Sequence, residues 1–179
     1  GMFSGDTVLE REFWGTRVLG KVFLRELFFE KLRRPFQPLY WLLMSKGYKT
    51  YLLMANNFAA HYPRYEEQTP PAIKDIQDAF YQQIYPKNYN AQTGLITFDG
   101  KSMHLKPTVA PISKDVSISR RVQFFEEKNP NWSFGNELAC MAEMTLDMPF
   151  KYILKAIYKS GFFKRFRGQV KISSQEMEA

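Results

Sequence analysis

The chain has 179 residues, 45% of them hydrophobic and 16% aromatic, and a net charge of +7. That length suits one domain with one substantial core, and that aromatic content excludes a disordered chain. The positive balance favours anionic partners such as nucleotides, phosphate-bearing cofactors, lipid headgroups or nucleic acid, without choosing among them.

The sequence is read as a single domain over 1–179, with residues 1–5 a disordered, tag-derived start and 168–179 a mobile polar tail. One cysteine, Cys140, cannot form an intrachain disulfide, and it reads as a small buried apolar residue rather than a nucleophile. No apolar run reaches the roughly 18 residues that span a bilayer. The first residues lack the charged and apolar regions of a signal peptide. The expectation is a cytoplasmic protein.

In chain order, Asp6–Trp14 alternates β-forming residues and predicts a strand that Gly15 breaks. Residues 17–33 predict a helix, with Arg33 and Arg34 at the end where positive charge suits the dipole. Its apolar set of Leu19, Val22, Phe23, Leu27 and Phe29 is broad and predicts extensive burial. Pro35 and Pro38 end it. Leu39–Met44 is a continuous apolar run, the pattern of a strand buried on both faces. Ser45 is a candidate cap for a helix over 47–60. Strand, helix, strand and helix in that order imply a βαβ crossover.

Thr69 predicts an N-cap with Pro70 at the first helical position. Ile73, Ile76, Phe80 and Ile84 then recur at helical spacing until Pro86. Leu95–Phe98 precedes Asp99-Gly100, a hairpin turn pair, and predicts a return strand over Met103–Leu105. A short helix is expected over 119–128. Residues 137–144 fit a strand or a short helix equally. The fold class is therefore mixed α/β (α+β), with a central sheet, an N-terminal βαβ unit and a later antiparallel hairpin.

Metal and nucleophile motifs are missing. His61 and His104 are the only histidines and stand far apart. The sequence holds no Cys/His cluster and no Gly-x-Ser-x-Gly, Walker or Gly-x-Gly-x-x-Gly pattern. The informative segment is Arg17, Val18, Leu19, Gly20, Lys21 and Val22, which follows a predicted strand and opens a predicted helix. Backbone N–H groups at such a point favour a bound phosphate, and Gly20 lets a ligand come close. The same six residues also fit an ordinary helix start with solvated basic groups.

The wider pattern resembles the acyl-CoA-binding core of the GNAT acetyltransferases. Their signature, Gln/Arg-x-x-Gly-x-Gly/Ala, is matched here by Arg17 and Gly20 and departed from at Val22. Residues 38–48, from Pro38 to Tyr48, also resemble a stretch of bacterial GNAT-like proteins. The resemblance covers residues 6–62. It implies an N-acyltransferase that takes acetyl-CoA or another acyl-CoA, with residues 17–22 cradling the pyrophosphate and no metal. It also implies a tyrosine acid toward the leaving thiolate, for which Tyr48 and Tyr51 are the candidates beside the plainer role of packing a helix. The family places further helices and strands before this core. Completion of the sheet by the downstream region or by a second copy of the chain is expected instead, and a non-catalytic GNAT-like binding protein is the alternative.

Residues 149–179 carry seven Lys/Arg against two Glu, an excess of five. Residues 149–167 form an amphipathic basic segment that either docks on the core or lies on an anionic membrane surface. Nucleic acid is not an expected partner, because the aromatic residues fall at core-like spacing.

Overall fold

The computed structural model describes residues 1–5, 18–98 and 119–148. By internal contacts the chain forms two compact units, Gly1–Met144 and Thr145–Ala179. All elements named below belong to the first. Of the second, Thr145–Met148 are described and make a turn closed by Met148 N–H on the Thr145 carbonyl.

Strand β1 (Met2–Ser4) leads through helix α1 (Val18–Arg33) to β2 (Tyr40–Ser45). Then follow α2 (Tyr48–Asn57), β3 (His61–Tyr62) and α3 (Pro71–Ile84). Strands β4 (Tyr89–Asn90) and β5 (Leu95–Ile96), helix α4 (Arg120–Lys128), a 3-10 turn (Trp132–Phe134) and β6 (Glu137–Glu143) complete the described set. The sheet order is β1-β2-β6-β5-β4, with β3 also on β6. β1 and β2 are parallel, and the other pairs are antiparallel. The fold is thus mixed α+β with a mixed-orientation sheet.

The parallel β-α-β start is present, but its first strand is Met2–Ser4 rather than a disordered leader. Phe3 holds this strand down, its ring 6.5 Å from Tyr81 and 6.2 Å from Tyr85. The indole N–H of Trp41 donates to Ser4 Oγ at 2.9 Å across the β1–β2 pair. The strand expected over 6–14 lies outside the described residues.

β2 is buried on both faces, as its unbroken apolar run predicts, because β1 and β6 cover both edges while helices cover both sides. Leu42 is fully buried, worth about 1.5–3 kcal/mol relative to exposure. One sheet face carries Leu42, Met44, Ala139 and Met141 against Tyr81 of α3. Side chains alternate along a strand, so Trp41 and Leu43 turn to the other face. There Trp41 meets Phe23 of α1 and Phe58 at the end of α2, at 4.8 and 5.1 Å between rings. α4 packs on α2 through Phe125, 5.8 Å from the Tyr51 ring, and Arg121 donates to Asn56 Oδ1 at 2.7 Å.

Several expectations are corrected. Ser45 is the last residue of β2 and its hydroxyl donates to the Gly47 carbonyl, so Gly47 is the residue at the N-cap of α2. α3 begins one residue late, with Pro70 as N-cap and Pro71 in the first turn. In α1, Leu27 is fully buried while Val22 and Phe29 are exposed, so the helix buries a narrower face than its composition suggests. The hairpin around Leu95-Ile96 runs the other way. β5 pairs with β4 through a turn in which Asn90 Oδ1 accepts from the N–H groups of Gln92 and Thr93. Its other edge is taken by β6. Asp99, Gly100 and Met103–Leu105 lie outside the described residues. Residues 137–144 resolve to a strand because both edges find partners.

β6 has a break along one edge, filled by the side chain of Gln77. β5 pairs with Glu137 and Leu138, and β3 with Met141 and Ala142. Between them, Ala139 N–H donates to the Gly94 carbonyl, but Gly94 N–H is turned back onto Asn90. The Ala139 carbonyl therefore has no strand donor from that side, and Gln77 Nε2 supplies one at 2.9 Å. One turn along α3, the Tyr81 hydroxyl donates to the Cys140 carbonyl at 2.8 Å. This is why the two buried residues of α3 are polar-tipped.

Candidate functional site

A cavity of about 310 Å³ opens where β1 and β2 end. Its walls come from Ser4 and Gly5 after β1, and from Phe23 and Leu24 of α1. Trp41, Leu43 and Met44 of β2, then Thr50, Leu53 and Asn57 on one face of α2, complete most of the lining. Lys46, just past β2, and Glu137, at the start of β6, supply charge. The two are an ion pair at 3.2 Å, with the Glu137 side chain 3% exposed and Lys46 23% exposed. A carboxylate so deep in an apolar wall needs such a partner.

The topology explains the place. A parallel pair joined through a helix leaves a crevice beyond its carboxyl ends, the usual ligand site of open sheets with parallel strands. Leu53 lines the cavity at 44% exposure, so that wall also faces outward.

Sequence-predicted residues fall around this cavity unevenly. Val18, Leu19, Gly20, Lys21 and Val22 form the first turn of α1, and Arg17 lies outside the described residues. Val18 precedes Phe23 on the cavity wall by about 7–8 Å along the helix axis, from a rise of about 1.5 Å per residue. The two candidate acids are not at the cavity. Tyr48 and Tyr51 are both buried. The Tyr51 hydroxyl donates to the Pro63 carbonyl at 3.1 Å, and its ring lies against Phe124, Phe125 and His61. Burial pushes the Tyr51 phenol well above its ordinary pKa. α2 turns Thr50, Leu53 and Asn57 to the cavity and Tyr51 to α4.

Cys140 is fully buried with its thiol on the Leu138 carbonyl, and burial drives its pKa far upward, so it is no nucleophile. His61 is buried with Nδ1 at 2.9 Å from the Phe58 carbonyl, while Nε2 has no hydrogen-bond partner among the described residues. Burial holds its pKa below the ordinary value. Among the described residues, no group of His, Cys, Asp and Glu could hold a metal ion, and no helix is long and apolar enough to cross a membrane.

Sequence reasoning missed Lys46 and Glu137. One follows an apolar strand and the other opens the 137–144 stretch whose state was ambiguous, and only the β2–β6 register brings them together. No family model matches the chain, and neither does any curated protein or solved structure.

Proposed function

We propose that the chain is a GNAT-like acyl-CoA-dependent N-acyltransferase. The observation that carries this reading is the apolar cavity at the carboxyl ends of a parallel strand pair, close to the head of α1. An acyl chain with a pantetheine arm is long and weakly polar, and it suits walls of Phe23, Leu24, Leu43 and Leu53. The pyrophosphate would sit at residues 17–22, where the N–H groups of a helix start favour anions.

In transfer, the acceptor nitrogen bonds to the thioester carbonyl carbon, the carbon–sulfur bond breaks, the nitrogen loses a proton and the thiolate gains one. The carboxylate at the cavity wall is Glu137, oriented by Lys46. In this reading Glu137 takes the nitrogen's proton, and positioning supplies most of the remaining acceleration.

One observation favours a second reading, a GNAT-like binding protein without catalysis. Neither tyrosine is free to act, since Tyr51 is committed to Pro63 and Tyr48 is buried off the cavity. The membrane-surface version of that reading rests on residues 149–167, which lie outside the described residues.

Thermal unfolding with acetyl-CoA and longer acyl-CoAs tests ligand binding. A ligand at 100 times its dissociation constant adds about 2.7 kcal/mol. At about 2–4 °C per kcal/mol for a chain of this size, Tm rises by roughly 5–10 °C. No rise at saturating acyl-CoA removes the transferase. A rise without thiol release in the presence of amines selects the binding protein.

A further inference from the structure

A second cavity lies on the α3 side of β6, away from the proposed acyl-CoA site, and its lining has a different chemistry. It encloses about 530 Å³ between the Pro63–Thr69 loop, α3, the Gln92–Gly94 turn and α4. Its floor is the break in the β6 edge, at Ala139 and Gln77. Three cations line it, Arg64, Lys74 and Lys128, against Glu67 on the wall and Asp78 paired with Lys74, which leaves an excess of one positive charge.

The three cations differ in what they still offer. Arg64 gives its terminal nitrogens to the Ala59 carbonyl and to Glu67, while its buried Nε has no hydrogen-bond partner among the described residues. Lys74 bonds Asp78 and the Ala91 carbonyl. An ammonium has three donors, so one remains. Asp78 is shared, since the Tyr89 hydroxyl also donates to it at 2.5 Å, and this fixes the position of Lys74. Lys128 has no carboxylate partner among the described residues, and its ammonium lies 5.7 Å over the Phe124 ring. Phe124 lines the cavity with Tyr65, the two rings 6.5 Å apart and edge-on.

We propose that this groove, bounded by the Pro63–Thr69 loop, α3, the β4–β5 turn and α4, is a binding site for phosphomonoesters with a flat apolar body. The net positive charge favours a phosphate, which is a dianion above its second pKa of about 6. Lys74 and Lys128 donate to phosphate oxygens through the protons they have left, the short charge-assisted bonds that ammonium groups make with phosphate. Tyr65 and Phe124 form an apolar wall for the body of the ligand. The open turn at Gly94, where an added Cβ would meet nothing within 4 Å, leaves the mouth clear.

The site is independent of the acyl-CoA reading, and the probe is chosen to keep the two apart. Isothermal titration uses phenyl phosphate, inorganic phosphate and phenol at fixed ionic strength and neutral pH. None carries a thioester or a pantetheine arm. Wild type binds phenyl phosphate saturably and more tightly than either fragment. Lys128→Gln weakens that binding about tenfold, the loss of one charge-assisted hydrogen bond. Lys128 is exposed and outside every described ion pair, so the variant loses only the contact with the Phe124 ring, and Tm, measured alongside, falls by no more than about 1–4 °C. Tyr65→Ala brings the affinity for phenyl phosphate toward that for inorganic phosphate. Absence of saturable binding to phenyl phosphate overturns the proposal. So does equal affinity in Lys128→Gln, or phenol binding as tightly as its phosphate.

Discussion

Replacing Gln77 by Leu keeps the side chain's bulk and removes its amide. The Ala139 carbonyl then loses the donor that fills the gap between β3 and β5, because the neighbouring Gly94 N–H is already bonded to Asn90. Gln77 is 3% exposed but floors the groove beside Ala139, so a water entering from the groove sets the low end of the loss. A buried carbonyl left without a partner costs about 1–3 kcal/mol. Tyr81→Phe is the internal control. The Cys140 carbonyl belongs to the β2–β6 ladder, where Cys140 is opposite Leu43, so the Tyr81 hydroxyl is an added donor rather than a gap-filler. Its loss should cost only about 0.5–1.5 kcal/mol, the net worth of one ordinary hydrogen bond. Urea unfolding reads both as a fall in the midpoint at unchanged slope. In thermal unfolding, Gln77→Leu lowers Tm by roughly 2–12 °C, at about 2–4 °C per kcal/mol. A Gln77→Leu protein within about 0.5 kcal/mol of wild type, the usual range for a surface substitution, would refute the reasoning. So would a Tyr81→Phe protein less stable than Gln77→Leu.

The buried His61 has a depressed pKa in the folded chain, so the unfolded chain binds the extra proton first. Its contribution is complete above the unfolded value of about 6.5 and falls as pH drops below it, by at most about 1.4 kcal/mol per pH unit. Urea midpoints between pH 7 and pH 5 should show this loss, and His61→Asn should flatten it; an unchanged slope contradicts the assignment. Gly94 has φ of 71°, in open space, so Gly94→Ala costs about 1–2 kcal/mol through backbone strain alone, and Gly94→Asn costs less. Equal stability of Gly94→Ala and wild type would show that the turn relaxes. Cys140 should react with a thiol reagent only after unfolding, because the group is buried and held protonated. Stoichiometric labelling of the native protein at neutral pH would contradict that placement.

The sequence made some elements legible because their signals are local. The apolar run at 39–44 needed only its own composition to mark a strand buried on both faces, and β2 runs Tyr40–Ser45. Helices α1, α2, α3 and α4 begin within two residues of their predicted starts, since proline, glycine and helical spacing act over one or two turns. What failed depends on partners distant in sequence. Leu95-Ile96 was readable as a strand, yet nothing nearby shows that β4 and β6 take both its edges. Ile73, Ile76 and Phe80 marked one packed stripe of α3, while Gln77 and Tyr81 reach deeper because β6 offers carbonyls there. Short strands such as β1 and β3 carry too few residues for a periodic signal. The cavity was not marked in the sequence: its α1 wall is Phe23 and Leu24, just past the singled-out residues 17–22, and Lys46 and Glu137 meet only through the β2–β6 register. Tyr51 had the right position along the chain for an acid and the wrong face of α2.

The central claim is that the space between α1 and α2, beyond the ends of β1 and β2, receives the acyl-bearing arm of coenzyme A. Leu53 lines that space and is 44% exposed, so Leu53→Trp can fill it without opening the core. Calorimetric titration of acetyl-CoA into both proteins, each first shown to unfold cooperatively at a similar temperature, is the direct measurement. The account predicts saturable binding to wild type and at least about a tenfold loss in the variant, equivalent to about 1.4 kcal/mol. Equal affinity for the two proteins, or no binding to wild type, would contradict it.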